Sequence, residues 1–231
     1  MLIRRLVLGL VLILLLAIAG CGSSSTDSST SPAAAAEELP TGTVAVVSHV
    51  SPSKGTISLA DLHHGILIQA AQGKLPTAPQ PGDPKYKKTE EAALGEILDQ
   101  IWIEGEAEEL GIVVTDNEIS KELEHIKKQN FKTEAEYQEF LTSSKFTEEN
   151  VNERVKLQLL STQIQESISS ESGNKTEEQK QFATFVTAYQ RQWRARTICA
   201  PTFVSERCAN GPQPEESKSK SGTGVQAPTG P

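Results

Sequence analysis

Cysteine is scarce in this chain, with three residues in 231, at positions 21, 199 and 208. A disulfide-dense scaffold is therefore excluded, since such folds are built on a much higher cysteine content. Rings are few as well, with three Tyr, two Trp and six Phe, so little aromatic surface remains once a core has taken its share. No G-x-x-x-x-G-K-[ST], G-x-S-x-G or H-E-x-x-H occurs, and no Gly-rich loop follows a strand. Those gaps remove the common phosphate-binding, hydrolase and metalloprotease patterns. Of the histidines His49, His63, His64 and His125, only His63 and His64 are neighbours, and adjacent helical positions point about 100° apart, too far to chelate together. Carboxylate pairs are common (Glu90-Glu91, Glu108-Glu109, Glu148-Glu149, Glu177-Glu178). They fall in first turns or on polar helix faces, where solvation and the helix dipole account for them. A basic stripe of the kind that binds nucleic acid is missing too. We expect no catalytic residue, no metal, no cofactor and no nucleic-acid partner.

What is present starts at the N-terminus. Arg4 and Arg5 precede an apolar run from Leu6 to Ile18, then Ala19, Gly20 and Cys21. The run is shorter than the roughly 20 residues that span a bilayer, and its layout is that of a secretory signal. Ile18-Ala19-Gly20-Cys21, followed by G-S-S-S-T-D-S-S-T, resembles the lipobox of bacterial lipoproteins, in which the cysteine is lipidated and becomes the mature N-terminus. The expectation is a signal peptide over 1–20 and an acylated Cys21 holding the protein to the extracytoplasmic face of the membrane. Loss of Arg4 and Arg5 takes the net charge from −8 to −10, so the mature protein is acidic. Residues 21–43 read as a flexible Ser/Ala-rich tether and 211–231 as a disordered tail. Between them, 44–210 is long enough for one domain with its own core.

That domain reads as mainly α, with about six helices and two short strands near 44–50 and 202–206, the two most economically paired. Helix starts are marked by caps. Ser58 is an N-cap with Asp61 at the positive end of the helix dipole, Thr115 with Glu118 and Thr133 with Glu136 form boxes, and Thr147 opens a further helix. One helix is expected from Ser58 to Gly73 and another from about Tyr86 to Leu110, stopped by Gly111. The second carries Leu94, Ile97, Leu98, Ile101 and Trp102 in the spacing of a buried stripe. A last helix starts at Thr176, carries Phe182, Phe185, Val186, Tyr189 and Trp193, and ends before Pro201.

The order of these segments resembles the N-terminal domain of SurA/PrsA-type extracytoplasmic chaperones and foldases. The resemblance runs over about 43–208. It rests on the strand Val44 to Val47, then I-S-L-A-D and L-D-Q-I-W-I-E-G-E-A-E-E-L-G-I-V-V-T-D-N-E-I, followed by K-E-L-E-H-I-K-K-Q, E-Y-Q-E-F-L and T-E-E-N-V-N-E-R-V-K-L-Q-L-L. In fuller members a parvulin-type prolyl isomerase domain follows the helix that corresponds here to 148–169. Only Ser170 to Lys175 stand at that point, far fewer than the roughly 50 residues a folded domain needs. The resemblance implies an ATP-independent holdase without isomerase activity, whose partners are unfolded or nascent secreted proteins held in an apolar helical cradle. Phe131, Tyr137, Phe140 and Phe146 are the candidate lining, because the short helices around them offer fewer burial partners. Trp102, Tyr189 and Trp193 are further large residues, and core packing is the alternative use for all seven. A lipoprotein dedicated to one client in secretion or envelope assembly, or a subunit working with a separate isomerase, are the alternative functions.

With Cys21 assigned to lipid, Cys199 and Cys208 remain as a pair outside the cytoplasmic membrane, where disulfides persist. The C-x₈-C spacing is not that of a C-x-x-C redox motif, and no nearby His or further Cys completes a zinc site. A structural disulfide is the expectation, with two free thiols as the alternative.

Overall fold

A computed structural model describes residues 31–169 and 174–212. The signal segment, Cys21 and the tail beyond Pro212 lie outside the described residues. Within them the chain is mainly helical, with a small antiparallel sheet. In order the elements are α1 (Pro32–Glu37), β1 (Thr43–Val47), α2 (Pro52–Gly55), β2 (Thr56–Ser58), α3 (Leu59–Gln72), α4 (Tyr86–Glu109), α5 (Asp116–Asn130), α6 (Glu134–Ser144), α7 (Glu148–Ser169), α8 (Lys175–Ala195) and β3 (Thr197–Cys199). A 3₁₀ turn, Pro201–Phe203, follows.

The helix starts are those the caps specify. Ser58 Oγ accepts from Asp61 N (3.2 Å) and Asp61 Oδ2 from Ser58 N (2.8 Å). Thr115 and Glu118 repeat the exchange at 3.3 and 2.7 Å. At α6 only half the box forms: Thr133 caps Glu136 N, while the Glu136 carboxylate accepts from Lys132 N instead. At α7, Asn150 takes the place that an acidic residue holds in the other boxes, exchanging bonds with Thr147 at 3.1 and 3.0 Å. The cap of α8 is Asn174, whose Oδ1 accepts from Glu177 N at 3.0 Å, so that helix starts one residue before Thr176. Gly111 ends α4 with φ 69°, and Ile112 N and Gly111 N donate to Ala107 O (2.8 Å) and Glu108 O (3.2 Å). That is a Schellman ending, which needs a residue free to adopt the left-handed region.

The departures from the sequence reading concern short elements, and α2 and β2 are additions to it. The strand expected at 202–206 lies at Thr197–Cys199, paired antiparallel with β1 in the sheet order β2-β1-β3. Pro201 opens a turn there and has no N–H to give a ladder, whereas β-branched Thr197 and Ile198 follow the end of α8 directly. The first strand stops at Val47 rather than 50, with His49 at φ 67°. Part of the expected tether is ordered as well: Pro32 starts a helical turn of alanines, the best helix formers, and Ala36 is buried.

The main core lies between the sheet, α3, α4 and the end of α8. It contains Val44, Val47, Ile57, Leu62, Leu98, Trp102, Trp193 and both bonded cysteines. Trp102 Nε1 donates to Thr197 Oγ1 (3.0 Å), which donates in turn to Trp193 O (2.8 Å), so the polar atoms in this apolar region are paired. Trp193 is fully buried over Gly105 of α4, and its Nε1 donates to the buried Glu106 carboxylate at 2.6 Å. A second cluster joins α4 and α7 through Ala107, Leu160 and Ile164, with Phe185 of α8 packed against it.

The segment after β3 folds back as a clasp. Cys199 and Cys208 are bonded, with Cα atoms 5.7 Å apart. Ala209 N donates to Thr197 O (2.7 Å), and the Asn210 amide accepts from Cys199 N (3.2 Å) while donating to Cys199 O (2.8 Å). The outer edge of β3 is thereby closed by one side chain and one amide, which blunts an otherwise open strand edge. Arg194 Nε donates to Glu206 O at 2.8 Å, and Arg207 pairs with Asp99 of α4. Gly211 passes so close to Ser205 O that a side chain there has no room.

Candidate functional site

Helices α3 and α4 approach closely at Gly65, where an added Cβ would lie 3.2 Å from Ala93 Cβ and 3.3 Å from Ile97 Cδ1. The start of α7 stands off from that pair and leaves an open cleft of about 230 Å³. Its floor is apolar, made by Gly65, Ile68, Ala93, Ile97 and Phe146. Its rim is polar and held by bonds between helices. Glu96 of α4 accepts from Gln69 of α3 and Arg154 of α7. His64 Nε2 lies 3.2 Å from Asn150 Oδ1. Asp61 and Glu153 complete the acidic part of the rim.

The four rings singled out in the sequence form one cluster, running from the end of α5 through α6 to the start of α7. Phe131 lies 5.4 Å from both Tyr137 and Phe140, and Phe140 lies 5.9 Å from Phe146. Separations of this size are those of favourable aromatic pairs. Their exposures differ. Phe131, Phe140 and Phe146 are half-buried, whereas Tyr137 is 1 % exposed and acts as the keystone of the cluster. Lys127 Nζ sits 3.9 Å above the Tyr137 ring, a cation–π contact. The Tyr137 hydroxyl is buried and makes no hydrogen bond, and burial pushes its pKa up. Phe146 belongs to both features: it floors the cleft, stacks under Arg154 at 4.6 Å and touches Phe140. The apolar surface is thus continuous from the cleft into the ring cluster.

The other large residues are core. Trp102 and Trp193 are buried, and Tyr189 is wedged between Phe185 (5.9 Å) and Trp102 (6.2 Å). Burial, with the Glu106 charge adding to it, holds the Tyr189 hydroxyl in its neutral form. His63 and His64 stand exposed on α3, and His125 contacts Gln129 on α5 at 2.9 Å. The cleft itself was not readable from spacing, because its floor is drawn from α3, α4 and the loop before α7, which lie far apart in sequence. The only local signal was Gly65 inside a helix, since a glycine there costs about 1 kcal/mol against alanine and marks a close approach.

Beneath the rim lies a charged cluster between α4 and α7. Lys156 pairs with Glu104 and, at 3.3 Å, with Glu153. Lys54 of α2 lies 3.7 Å from Glu104 and 2.9 Å from Glu108. Burial and the neighbouring Glu104 raise the Glu153 carboxyl above its ordinary range. Glu104 is also partly buried, yet hydrogen bonds from Glu153 and Lys156 hold its carboxyl low.

A family model described as the SurA-like N-terminal domain matches residues 2–165. No curated protein and no solved structure matches the chain.

Proposed function

Since the chain belongs to the SurA-like N-terminal domain family, we propose that it is an ATP-independent chaperone of exported proteins, tethered to the extracytoplasmic face of the membrane by acyl chains on Cys21. The observation that carries the reading is the cleft between α3, α4 and α7, whose apolar floor runs through Phe146 into the half-buried rings of Phe140 and Phe131. Such a surface suits brief capture of apolar side chains from an unfolded segment. Its volume of about 230 Å³ is below the roughly 300–1,000 Å³ usual for small-molecule sites. Only residues 170–174 separate α7 from α8, so the reading includes no isomerase step.

The chain reconstituted into vesicles is expected to suppress aggregation of several unrelated proteins diluted from denaturant. Phe146→Ala removes the ring shared by cleft and cluster, and should raise the concentration needed for half-protection roughly fivefold, as for a moderate interface anchor. Absence of protection by the unaltered chain overturns the chaperone reading. Protection of one client only points to the dedicated lipoprotein.

Anchoring is tested separately. Cys21→Ser should move the protein from the membrane fraction to the soluble one, or leave it unprocessed, since stable anchoring needs two or more acyl chains. Unchanged fractionation and processing overturn lipidation and leave the chaperone reading untouched.

A further inference from the structure

We propose that the cleft between α3, α4 and α7 selects extended segments in which an apolar side chain is flanked by lysine or arginine, and that Glu153 sets this preference. The proposal rests on the cleft being the client site. Its floor has room for a side chain or two, and what borders the floor is mainly negative: Asp61, Glu96 and Glu153 against Arg154.

The positive charge on the rim is already committed. Arg154 is paired with Glu96 and stacked on Phe146. Asp61 Oδ2 accepts two bonds from Ser58, from its N and its Oγ, as part of the α3 cap, so this carboxylate is already engaged by its own helix. In the cluster below, Lys54 and Lys156 serve three carboxylates: Glu104, Glu108 and Glu153. Glu153 has the weakest share, at 3.3 Å from Lys156, and is the member of that cluster that lines the cleft. The deficit of positive charge therefore faces the place where a client would lie. A lysine or arginine beside the client's apolar residue would complete the set in a partly desolvated setting, where charge pairs are stronger than in bulk water. A glutamate at that position would meet repulsion, which discriminates as effectively as attraction. The net charge of −8 adds long-range attraction for cationic segments.

The groups facing Glu153 are Glu104 from α4 and Lys156 on its own helix, with Lys54 of α2 reaching it through Glu104. Asp61 and His64 of α3 line the same cleft. A carboxyl whose pKa is raised keeps its proton to a higher pH than an ordinary glutamate and becomes an anion as pH rises through the raised value. Preference for cationic segments should therefore grow with pH over that interval.

The test uses the full chain in detergent and fluorescent peptides sharing a Leu-Phe-Leu centre, flanked by lysines, by glutamines or by glutamates. Anisotropy at low salt should rank them in that order. Glu153→Gln should shrink the lysine-to-glutamine affinity ratio about fivefold, the upper end for a partly exposed ion pair, and Glu153→Asp should retain most of it. In the unaltered chain the ratio should rise with pH, which needs no variant to fold. Equal affinity for the three peptides overturns the charge preference and leaves the chaperone reading standing. Failure to bind any of them overturns both. A ratio unchanged by Glu153→Gln removes Glu153 from the selection.

Discussion

Gly105→Ala should cost about 3 kcal/mol, as overpacking adds to a lost buried hydrogen bond, although the same change in an exposed helix gains about 1 kcal/mol. Gly105 sits inside α4 under the indole of Trp193. A Cβ built there would lie 2.8 Å from both Cζ2 and Cζ3, and closer still to Cη2. The ring has nowhere to retreat, since Trp193 is 0 % exposed and carries Arg196 over its face at 4.7 Å. Shifting it also breaks the 2.6 Å bond from Nε1 to Glu106, a residue 7 % exposed. Overpacking costs about 1–3 kcal/mol, and stranding a buried polar group about 1–3 kcal/mol more. Together these outweigh the helix-propensity gain. Against a total stability of about 5–15 kcal/mol the loss is large. Urea unfolding followed by circular dichroism measures it. The double variant Gly105→Ala/Trp193→Phe should show non-additive coupling, because the two residues share one contact. A midpoint unchanged or raised by Gly105→Ala means that α4 and α8 do not meet through this ring.

The same contrast between local and distant causes explains what could be read in the sequence. The caps at Ser58, Thr115, Thr133 and Thr147 were legible because donor and acceptor lie three residues apart, and Gly111 because a left-handed ending needs only one residue. The stripe of Leu94, Leu98 and Trp102 was legible because burial repeats with the helical period. The three-residue strands β2 and β3 leave no such period, and the strand expected at 202–206 lies instead at Thr197 to Cys199. Helix α1 was hidden by an Ala/Ser-rich composition that suits a tether and a helix equally, and packing against the domain decides between them. Among the four rings, composition could not distinguish the buried Tyr137 from the half-buried Phe131, Phe140 and Phe146. The cleft depends on Gly65 of α3, Ala93 of α4 and Phe146 of the loop before α7 coming together, information that exists only after packing.

Removal of the Cys199–Cys208 bond should lower stability by about 2–3 kcal/mol, the chain-entropy value for a short closed loop, and the loss should begin at one place. The bond closes residues 199–208 and holds Asn210 and Ala209 against β3, where they satisfy Cys199 and Thr197. Without it the clasp keeps Arg194 on Glu206 O and Arg207 on Asp99. Both are partly exposed contacts that add little alone. The Cys199→Ala/Cys208→Ala protein should therefore melt roughly 5–10 °C lower, at about 2–4 °C per kcal/mol for a chain of this size. Hydrogen exchange adds the spatial reading. Amides of β3 and of residues 208–211 should lose protection first, with α4 and α7 following only at global unfolding. Both cysteines are 0 % exposed, so reductant should act slowly on the native protein and faster in mild urea, when the clasp opens. Reduction at the same rate with and without urea would mean that the clasp already opens freely in the native state. Simultaneous loss of protection in β3 and α4 would mean instead that the clasp supports the whole core, because Trp102 and Trp193 both bond to Thr197.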